Sequence, residues 1–161
     1  MPRKARSYKK HLAEADHKYN SVKIGKFINY IMERGKKTVA TKVVYGAFDR
    51  VETEMKTDPK AVFEQAIRNV SPIVEVKGRR IGGANYQVPM EVQEPRKTAL
   101  GMKWIIDAAR GKKGRPMAVK LATEFMDAYN KTGSAIKKRE DVHKMAEANK
   151  AFAHFARFQR R

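Results

Sequence analysis

Apolar residues recur every three or four positions through most of this 161-residue chain, a spacing that predicts α-helices. In the first such segment Ile24, Phe27, Ile28 and Ile31 fall on one helical face. A chain of this length is expected to form a single domain, here a mainly α-helical one. Proline and glycine divide the pattern into six predicted helices, which cover about 21–34, 37–56 and 59–70 and then begin near Pro95, Pro116 and Ile136.

Residues 74–92 break this period, because apolar and polar residues alternate there as they do in a β-strand. Gly82 and Gly83 supply the backbone freedom that a tight turn needs. We therefore expect one β-hairpin at about 73–92, with its base resting on the helices because an isolated hairpin is marginally stable. Strands of this length would carry the turn roughly 25 Å from the base. The tip would present Arg79, Arg80 and Tyr86, unless the hairpin merely ends in a solubilising turn.

The chain carries 36 Lys and Arg against 17 Asp and Glu, a formal net charge of +19 at pH 7. Such an excess makes a compact chain repel itself, so a polyanionic partner is the best explanation. No stretch approaches the roughly 20 apolar residues of a membrane span, and no secretory-signal core follows Met1. The absence of cysteine excludes disulfides and thiolate metal sites. We expect a cytoplasmic protein that binds nucleic acid, with no cofactor, metal, membrane or homo-oligomeric partner.

The last predicted helix separates apolar from basic residues. Met145, Ala148, Phe152 and Phe155 cluster on one side, which we interpret as the inward face. One basic row is usually just a solvated helix face, but solvated faces mix signs, so phosphate contact is the better interpretation here. The predicted phosphate-binding residues, within about 60° on the opposite side, are Arg139, His143, Lys150, His154 and Arg157.

The fourth helix repeats this plan, with Leu100, Trp104 and Ala108 predicted to face inward and a basic residue every seventh position. The N-terminal stretch, assigned as a basic arm over 1–19, and the loop before the fifth helix add more cations. The helical domain would span 20–155, and 156–161 would form a basic tail. The further predicted phosphate contacts are Arg3, Lys4, Arg6, Lys9, Lys10, Arg96, Lys103, Arg110, Lys112, Lys113 and Arg115.

We find no set of residues that would support catalysis. Gly78 and Gly83 have the spacing of a phosphate-binding loop, but its Lys and Ser/Thr are absent. His143 and Glu147 are one helical turn apart, yet no third metal ligand of matching geometry is evident. An RNA-modifying enzyme is therefore disfavoured, and a DNA-binding regulator remains the main alternative to a structural RNA-binding protein.

Two blocks, INYIMERGKKTVA (28–40) and KKREDVHKMAEANKAFAHF (137–155), resemble the family of the seventh protein of the bacterial small ribosomal subunit. The stretch GRRIGGANYQVPMEV is similar to that family's hairpin, and the resemblance extends from Pro2 to about Arg157. It implies a non-enzymatic protein that binds the 3′ major domain of small-subunit rRNA and nucleates assembly of the subunit head. The neighbours would include head and platform proteins, and some members repress their own operon by binding its messenger.

The resemblance also assigns roles to positions of this chain. The hairpin tip would lie near exit-site tRNA and the messenger path, through Arg79, Arg80, Gly82, Gly83, Asn85 and Tyr86. The implied rRNA contacts are Arg3, Lys4, Arg6, Gly35, Lys36, Lys37, Lys77, Arg79, Arg80, Arg96, Lys103, Arg110 and the KKRE block that begins with Lys137, Lys138 and Arg139.

Overall fold

A computed structural model describes residues 13–159 of the chain, and the side chains of residues 13–156. In this part of the chain it has six α-helices, one two-stranded antiparallel sheet and a C-terminal 3₁₀ helix, which confirms the mainly α-helical fold with one hairpin. None of the described helices combines the length and apolar character needed to cross a membrane. The elements are α1 Val22–Ile31, α2 Lys37–Met55, α3 Pro59–Val70, β1 Val74–Ile81, β2 Ala84–Glu91, α4 Arg96–Gly111, α5 Met117–Tyr129, α6 Ser134–Ala148 and the C-terminal 3₁₀ helix Lys150–Gln159.

The core is organised around four fully buried phenylalanines, one each from α1, α2, α3 and α5. The rings of Phe27, Phe48, Phe63 and Phe125 contact one another with centroids 5.2 to 5.8 Å apart, mostly in edge-on arrangements that aromatic pairs prefer. The predicted inward face of α1 is buried as expected. These contacts pack the four helices around one core.

The start of α3 is the helix boundary that the sequence marks most clearly. Asp58 accepts a hydrogen bond from the backbone N–H of Lys60 at 3.0 Å, and Pro59 occupies the first helical position. The helix ends at Val70, before the Ser71–Pro72 dipeptide. The predicted range 59–70 is therefore confirmed.

Residues 13–19, the described part of the predicted N-terminal arm, pack against α1 and α2. A Cβ atom at Gly25 would lie 2.2 Å from the backbone oxygen of Glu14, so only glycine allows this segment to cross α1. The buried carboxylate of Asp16 accepts hydrogen bonds from the backbone N–H of Tyr19 at 3.1 Å and from the hydroxyl of Tyr45 at 2.7 Å. The segment is thus bound to the helical body before α1 begins.

The hairpin has the predicted position and turn. The strands pair from Val74 with Glu91 to Ile81 with Ala84. Gly82 and Gly83 have φ angles of +57° and +90°, a left-handed conformation that favours glycine and suits a two-residue hairpin loop. The bulk of β2 is not free, however, because it packs against the C-terminal 3₁₀ helix.

Tyr86 is the clearest departure from the expectation of a free hairpin tip. Its ring centroid lies 5.2 Å from that of Phe152 and 5.4 Å from that of Phe155. Arg79, opposite Tyr86 on β1, donates a hydrogen bond to the backbone oxygen of Phe155 at 3.2 Å. Both side chains therefore fasten the hairpin to the end of the chain rather than standing clear of the protein.

The predicted orientation of the last helix is wrong. The α-helix ends at Ala148, and the chain continues from Lys150 as a 3₁₀ helix. Met145 is 50% exposed, and Ala148 is exposed as well, whereas the buried residues of α6 are Ala135, Ile136 and Ala146. Arg139 and His143, which we predicted to face outward, contact the protein instead. The error arose because Phe152 and Phe155 were placed on the same helix, although they follow the break and pack on the hairpin.

The predicted inward face of α4 is close to the observed one but displaced. Leu100, Trp104 and Ala108 are only partly buried, at the margin of the core. Its fully buried centre lies elsewhere around the helix and consists of Gly101, Met102, Ile105, Ile106 and Ala109.

Candidate nucleic-acid interface

The basic row of α4 is exposed as predicted. Arg96 donates two hydrogen bonds to the carboxylate of Glu75 through Nε and Nη2, the shorter 2.7 Å long. Arg110 donates to Glu33 at 3.0 Å. The ammonium of Lys103 lies 5.7 Å from the centre of the Tyr30 ring, within the range of a cation–π contact.

The two ion pairs of this row differ in strength. Both Arg110 and Glu33 are well exposed, and such pairs contribute about 0–1 kcal/mol, so a phosphate could replace the carboxylate. Glu75 is only 12% exposed and also pairs with Lys77 at 3.0 Å. Burial acts to raise the pKa of Glu75, but its hydrogen bonds to Arg96 and Lys77 outweigh burial and lower it. This carboxylate therefore ties the base of the hairpin to the start of α4.

The outer side of α1 adds two lysines that the sequence analysis missed. Lys23 and Lys26 lie beside Tyr30 on the side of α1 away from its buried face. With Arg96 they line a cavity of about 480 Å³ between α1 and α4. The signal was present in the sequence, because these residues recur with helical spacing opposite the apolar face of this helix.

A second cavity, of about 440 Å³, lies at the other end of the seam between α1 and α4. Ile31, Val39 and Val43 contribute apolar walls, and the cations at its rim are Arg34, Lys36 and Arg110. Gly35, with φ at +73°, makes the turn that places Lys36 and Lys37 on the surface. The predicted Gly35–Lys37 block and the end of the α4 row are thus brought together. We call the outer side of these two helices the α1–α4 face, formed by Lys23, Lys26, Tyr30, Arg96, Lys103 and Arg110.

Lys112 does not belong with its exposed neighbours Lys113 and Arg115. Its ammonium lies 2.7 Å from a carboxylate oxygen of Glu124, a residue with 0% exposure. It also pairs with Asp127 at 3.3 Å. Burial would lower the pKa of Lys112, but the two carboxylates outweigh it and raise the pKa. The lysine thus neutralises a buried acid, and the loop presents two cations rather than three.

The predicted phosphate-binding residues of α6 also fall into an exposed group and an inward-facing group. Lys137 and Lys138 are exposed. Arg139 turns inward and donates a hydrogen bond to the backbone oxygen of Asn69 at the end of α3. His143 accepts a hydrogen bond from the backbone N–H of Ile73 at 3.1 Å. Burial, together with the charge of Arg139, lowers the pKa of His143. These two inward residues hold the α3–β1 junction.

The remaining predicted residues are distributed along the hairpin and the chain ends. Lys150 and His154 are exposed, and the imidazole of His154 lies against Phe155 with ring centroids 4.0 Å apart. At the hairpin, Lys77, Arg80, Gly82, Gly83 and Asn85 are exposed, while Arg79 and Tyr86 are half-buried. The predicted residues Arg3, Lys4, Arg6, Lys9, Lys10 and the side chain of Arg157 lie outside the described residues.

The arrangement is suited to holding phosphates rather than to catalysis. The exposed cations of α1, α4 and α6 project from packed helices, so they can meet a phosphate backbone in fixed positions without reading its sequence. Among residues 13–156, no three histidine, aspartate or glutamate side chains converge as metal ligands would. Trp104, half-buried against the core, is a packing residue.

Comparison with known proteins shows the family to which this chain belongs. The family model described as ribosomal protein S7p/S5e matches residues 2–150. The small ribosomal subunit protein uS7 of Thermotoga neapolitana is 61% identical over 140 residues, which cover 87% of this chain and 90% of that protein. The uS7 protein of Anaeromyxobacter dehalogenans is 53% identical over 155 residues, covering 96% of this chain and 99% of that protein. Matches of this length and identity show that the chain belongs to the ribosomal protein S7p/S5e family.

Proposed function

We propose that this chain, as a structural constituent of the small subunit of the cytoplasmic ribosome, binds the 3′ major domain of small-subunit rRNA and nucleates assembly of the subunit head. Its family is one of ribosomal proteins rather than enzymes. The observation that carries the proposal is the α1–α4 face, where Lys23 and Lys26 of α1 and Arg96 of α4 line one cavity and Arg110 of α4 lines a second. Such a surface can follow a folded phosphate backbone over the length of α4.

The rRNA is bound chiefly through phosphates. Double-stranded RNA has a deep, narrow major groove that side chains cannot read, so proteins contact its backbone, shallow groove and unpaired loops. Exposed lysines and arginines of the neighbouring loops, of the start of α2 and of the start of α6 add to the charge of the α1–α4 face. This additional set is Arg34, Lys36, Lys37, Lys113, Arg115, Lys137 and Lys138.

The hairpin and the C-terminal 3₁₀ helix serve contacts beyond the rRNA. Arg80 and Asn85, next to the glycine turn, are the exposed side chains that would approach exit-site tRNA and the messenger. The C-terminal 3₁₀ helix, fastened to the hairpin through Tyr86, would meet the neighbouring platform protein. Repression of the chain's own operon, if its messenger presents a similar fold, would use the α1–α4 face.

Footprinting of the chain on intact small-subunit rRNA tests the rRNA assignment. We expect backbone protection concentrated in the 3′ major domain and its loss at high salt, because each neutralised phosphate releases counterions. Protection confined to another rRNA domain would contradict the proposal. A DNA-binding regulator would instead be indicated if duplex DNA displaced the rRNA at equal concentration and salt.

Reconstitution without this chain tests the assembly role. Subunits assembled from purified components that lack it should be missing the head proteins, whereas the remaining regions should form. A complete head in its absence would show that the chain does not nucleate assembly.

A further inference from the structure

We propose that the cavity of about 480 Å³ between α1 and α4 binds one unstacked nucleotide of the RNA, with its base against Tyr30. This inference rests on the proposed function as an rRNA-binding protein and adds to it a site for a single nucleotide. The cavity lies in the size range of pockets that hold small molecules. Its walls come from α1, from α4 and from the segment that leads into α4, and α4 packs against α3 and α5 of the core.

Tyr30 is placed for contact with a ligand rather than for packing. It is 36% exposed, while the buried residues of α1, such as Phe27 and Ile31, lie on the other side of the helix. The ammonium of Lys103 lies 5.7 Å from the ring centre, so a cation already accompanies the aromatic face. Aromatic rings among cations are the usual platform for unstacked RNA bases, because every base has a π-face to stack.

The cavity combines an apolar surface with a positive rim, as a nucleotide requires. Val22, 50% exposed, the exposed Pro95 and the half-buried Ala99 contribute apolar surface that would meet a base. Lys23, Lys26 and Arg96 surround it with positive charge. Within the described part of the lining, Glu94 is the single acid, and it already accepts a hydrogen bond from the hydroxyl of Thr98 at 2.7 Å. An acidic peptide would satisfy the cations but not the combination of flat ring and apolar wall.

The affinity of the full-length chain for a transcript of the 3′ major domain, measured over a range of salt concentrations, tests the site. Tyr30→Ala should weaken binding about 5- to 150-fold, the effect of losing one stacked base. Its salt dependence should be unchanged because no charge is removed, and Tyr30→Phe should bind like the unmodified chain. Replacing Lys23 and Lys26 with glutamine should instead flatten the salt dependence.

Tyr129→Ala is the matched control, since Tyr129 is 37% exposed, as Tyr30 nearly is, and does not line the cavity. It should bind the transcript normally. The proposal is overturned if Tyr30→Ala binds as tightly as the unmodified chain, or if Tyr30→Phe is as weak as Tyr30→Ala, which would indicate a hydroxyl contact. Failure of the unmodified chain to bind the transcript would overturn the proposed function and, with it, this site.

Photo-crosslinking of the unmodified complex provides a readout that does not depend on the folding of any variant. After ultraviolet irradiation and digestion, we expect a nucleotide covalently attached to the peptide that contains Tyr30. Crosslinks at other aromatic residues, with none on this peptide, would contradict base stacking in the cavity.

Discussion

The pair formed by Lys112 and Glu124 separates a structural cation from an RNA-binding one. The sequence places Lys112 in a basic loop with Lys113 and Arg115, and a phosphate contact is the natural expectation for all three. In the structure its ammonium lies 2.7 Å from a carboxylate with 0% exposure. We therefore expect Lys112→Met to destabilise the protein, while Lys113→Met, an exposed neighbour, should weaken rRNA binding without affecting stability.

The magnitude follows from what the substitution leaves behind. Removing one member of a buried ion pair typically costs 3–5 kcal/mol, because the remaining charge is buried without compensation. Glu124 would keep the hydrogen bond from the hydroxyl of Ser134 at 3.1 Å, and the Lys112 side chain is 33% exposed. The loss of stability should therefore lie at the lower end of that range. Among the described residues, Oε2 of Glu124 has no hydrogen-bond partner even with Lys112 in place, so the substitution would leave this carboxylate only the hydrogen bond from Ser134. We expect about 3 kcal/mol, or a fall in Tm of about 6–12 °C for a domain of this size.

Urea unfolding and rRNA affinity, measured on the same preparations, distinguish the two roles. The double variant Lys112→Met with Glu124→Leu should recover most of the lost stability, since well-packed apolar residues can replace a buried pair at no net cost. The recovery would show that the loss comes from the orphaned carboxylate and not from a shorter side chain at position 112.

Two results would refute this reasoning. Unchanged stability of Lys112→Met, together with a loss of rRNA affinity equal to that of Lys113→Met, would place Lys112 among the phosphate contacts. A double variant less stable than Lys112→Met alone would mean that the carboxylate of Glu124 is stabilising for a reason other than its lysine.

Three further predictions concern α6 and the hairpin. Replacing Lys137 and Lys138 with glutamine should lower the slope of log K against log salt by about 0.7–0.9 for each lysine, at unchanged Tm, whereas Arg139→Gln should lower Tm instead. Burial and the charge of Arg139 lower the pKa of His143 from 6.5, so the unfolded chain binds more protons than the folded one below that pH. The unfolding free energy should therefore fall as the pH drops below about 6.5. In urea titrations, His143→Gln should remove this pH dependence. Tyr86→Ala removes two aromatic contacts and should destabilise the C-terminal 3₁₀ helix by about 1–3 kcal/mol, detected as faster amide hydrogen exchange there but not in the core.

The parts of the fold that the sequence predicts well are those set by local rules. The cap at Asp58, the paired glycines of the hairpin turn and the apolar face of α1 each involve residues a few positions apart. A short-range pattern is enough to determine them, because the physical cause is itself short-range. For the same reason, the predicted boundaries of α2 and α3 lie within one residue of the observed ones.

The orientation of α6 could not be obtained in this way. A helical projection assumes that the helix continues, and the break at Asn149 places Phe152 and Phe155 in a separate element. Their partner, Tyr86, lies more than sixty residues earlier in the chain. The buried face of α6 is instead formed by small residues such as Ala135 and Ala146, which a count of large apolar side chains overlooks.

The predicted cations that are already paired within the protein share a property that no charge pattern reveals: each faces a buried or half-buried acceptor contributed by a distant element. Lys112 meets Glu124 of α5, Arg139 meets the backbone oxygen of Asn69, and Arg96 meets Glu75 of the hairpin. A cation held in this way releases no counterion on binding unless its internal partner is displaced. The salt dependence of rRNA binding should therefore correspond to fewer phosphate contacts than the number of cations that the sequence predicts to make them. A slope as steep as the full set of predicted cations implies would mean that RNA displaces these internal partners.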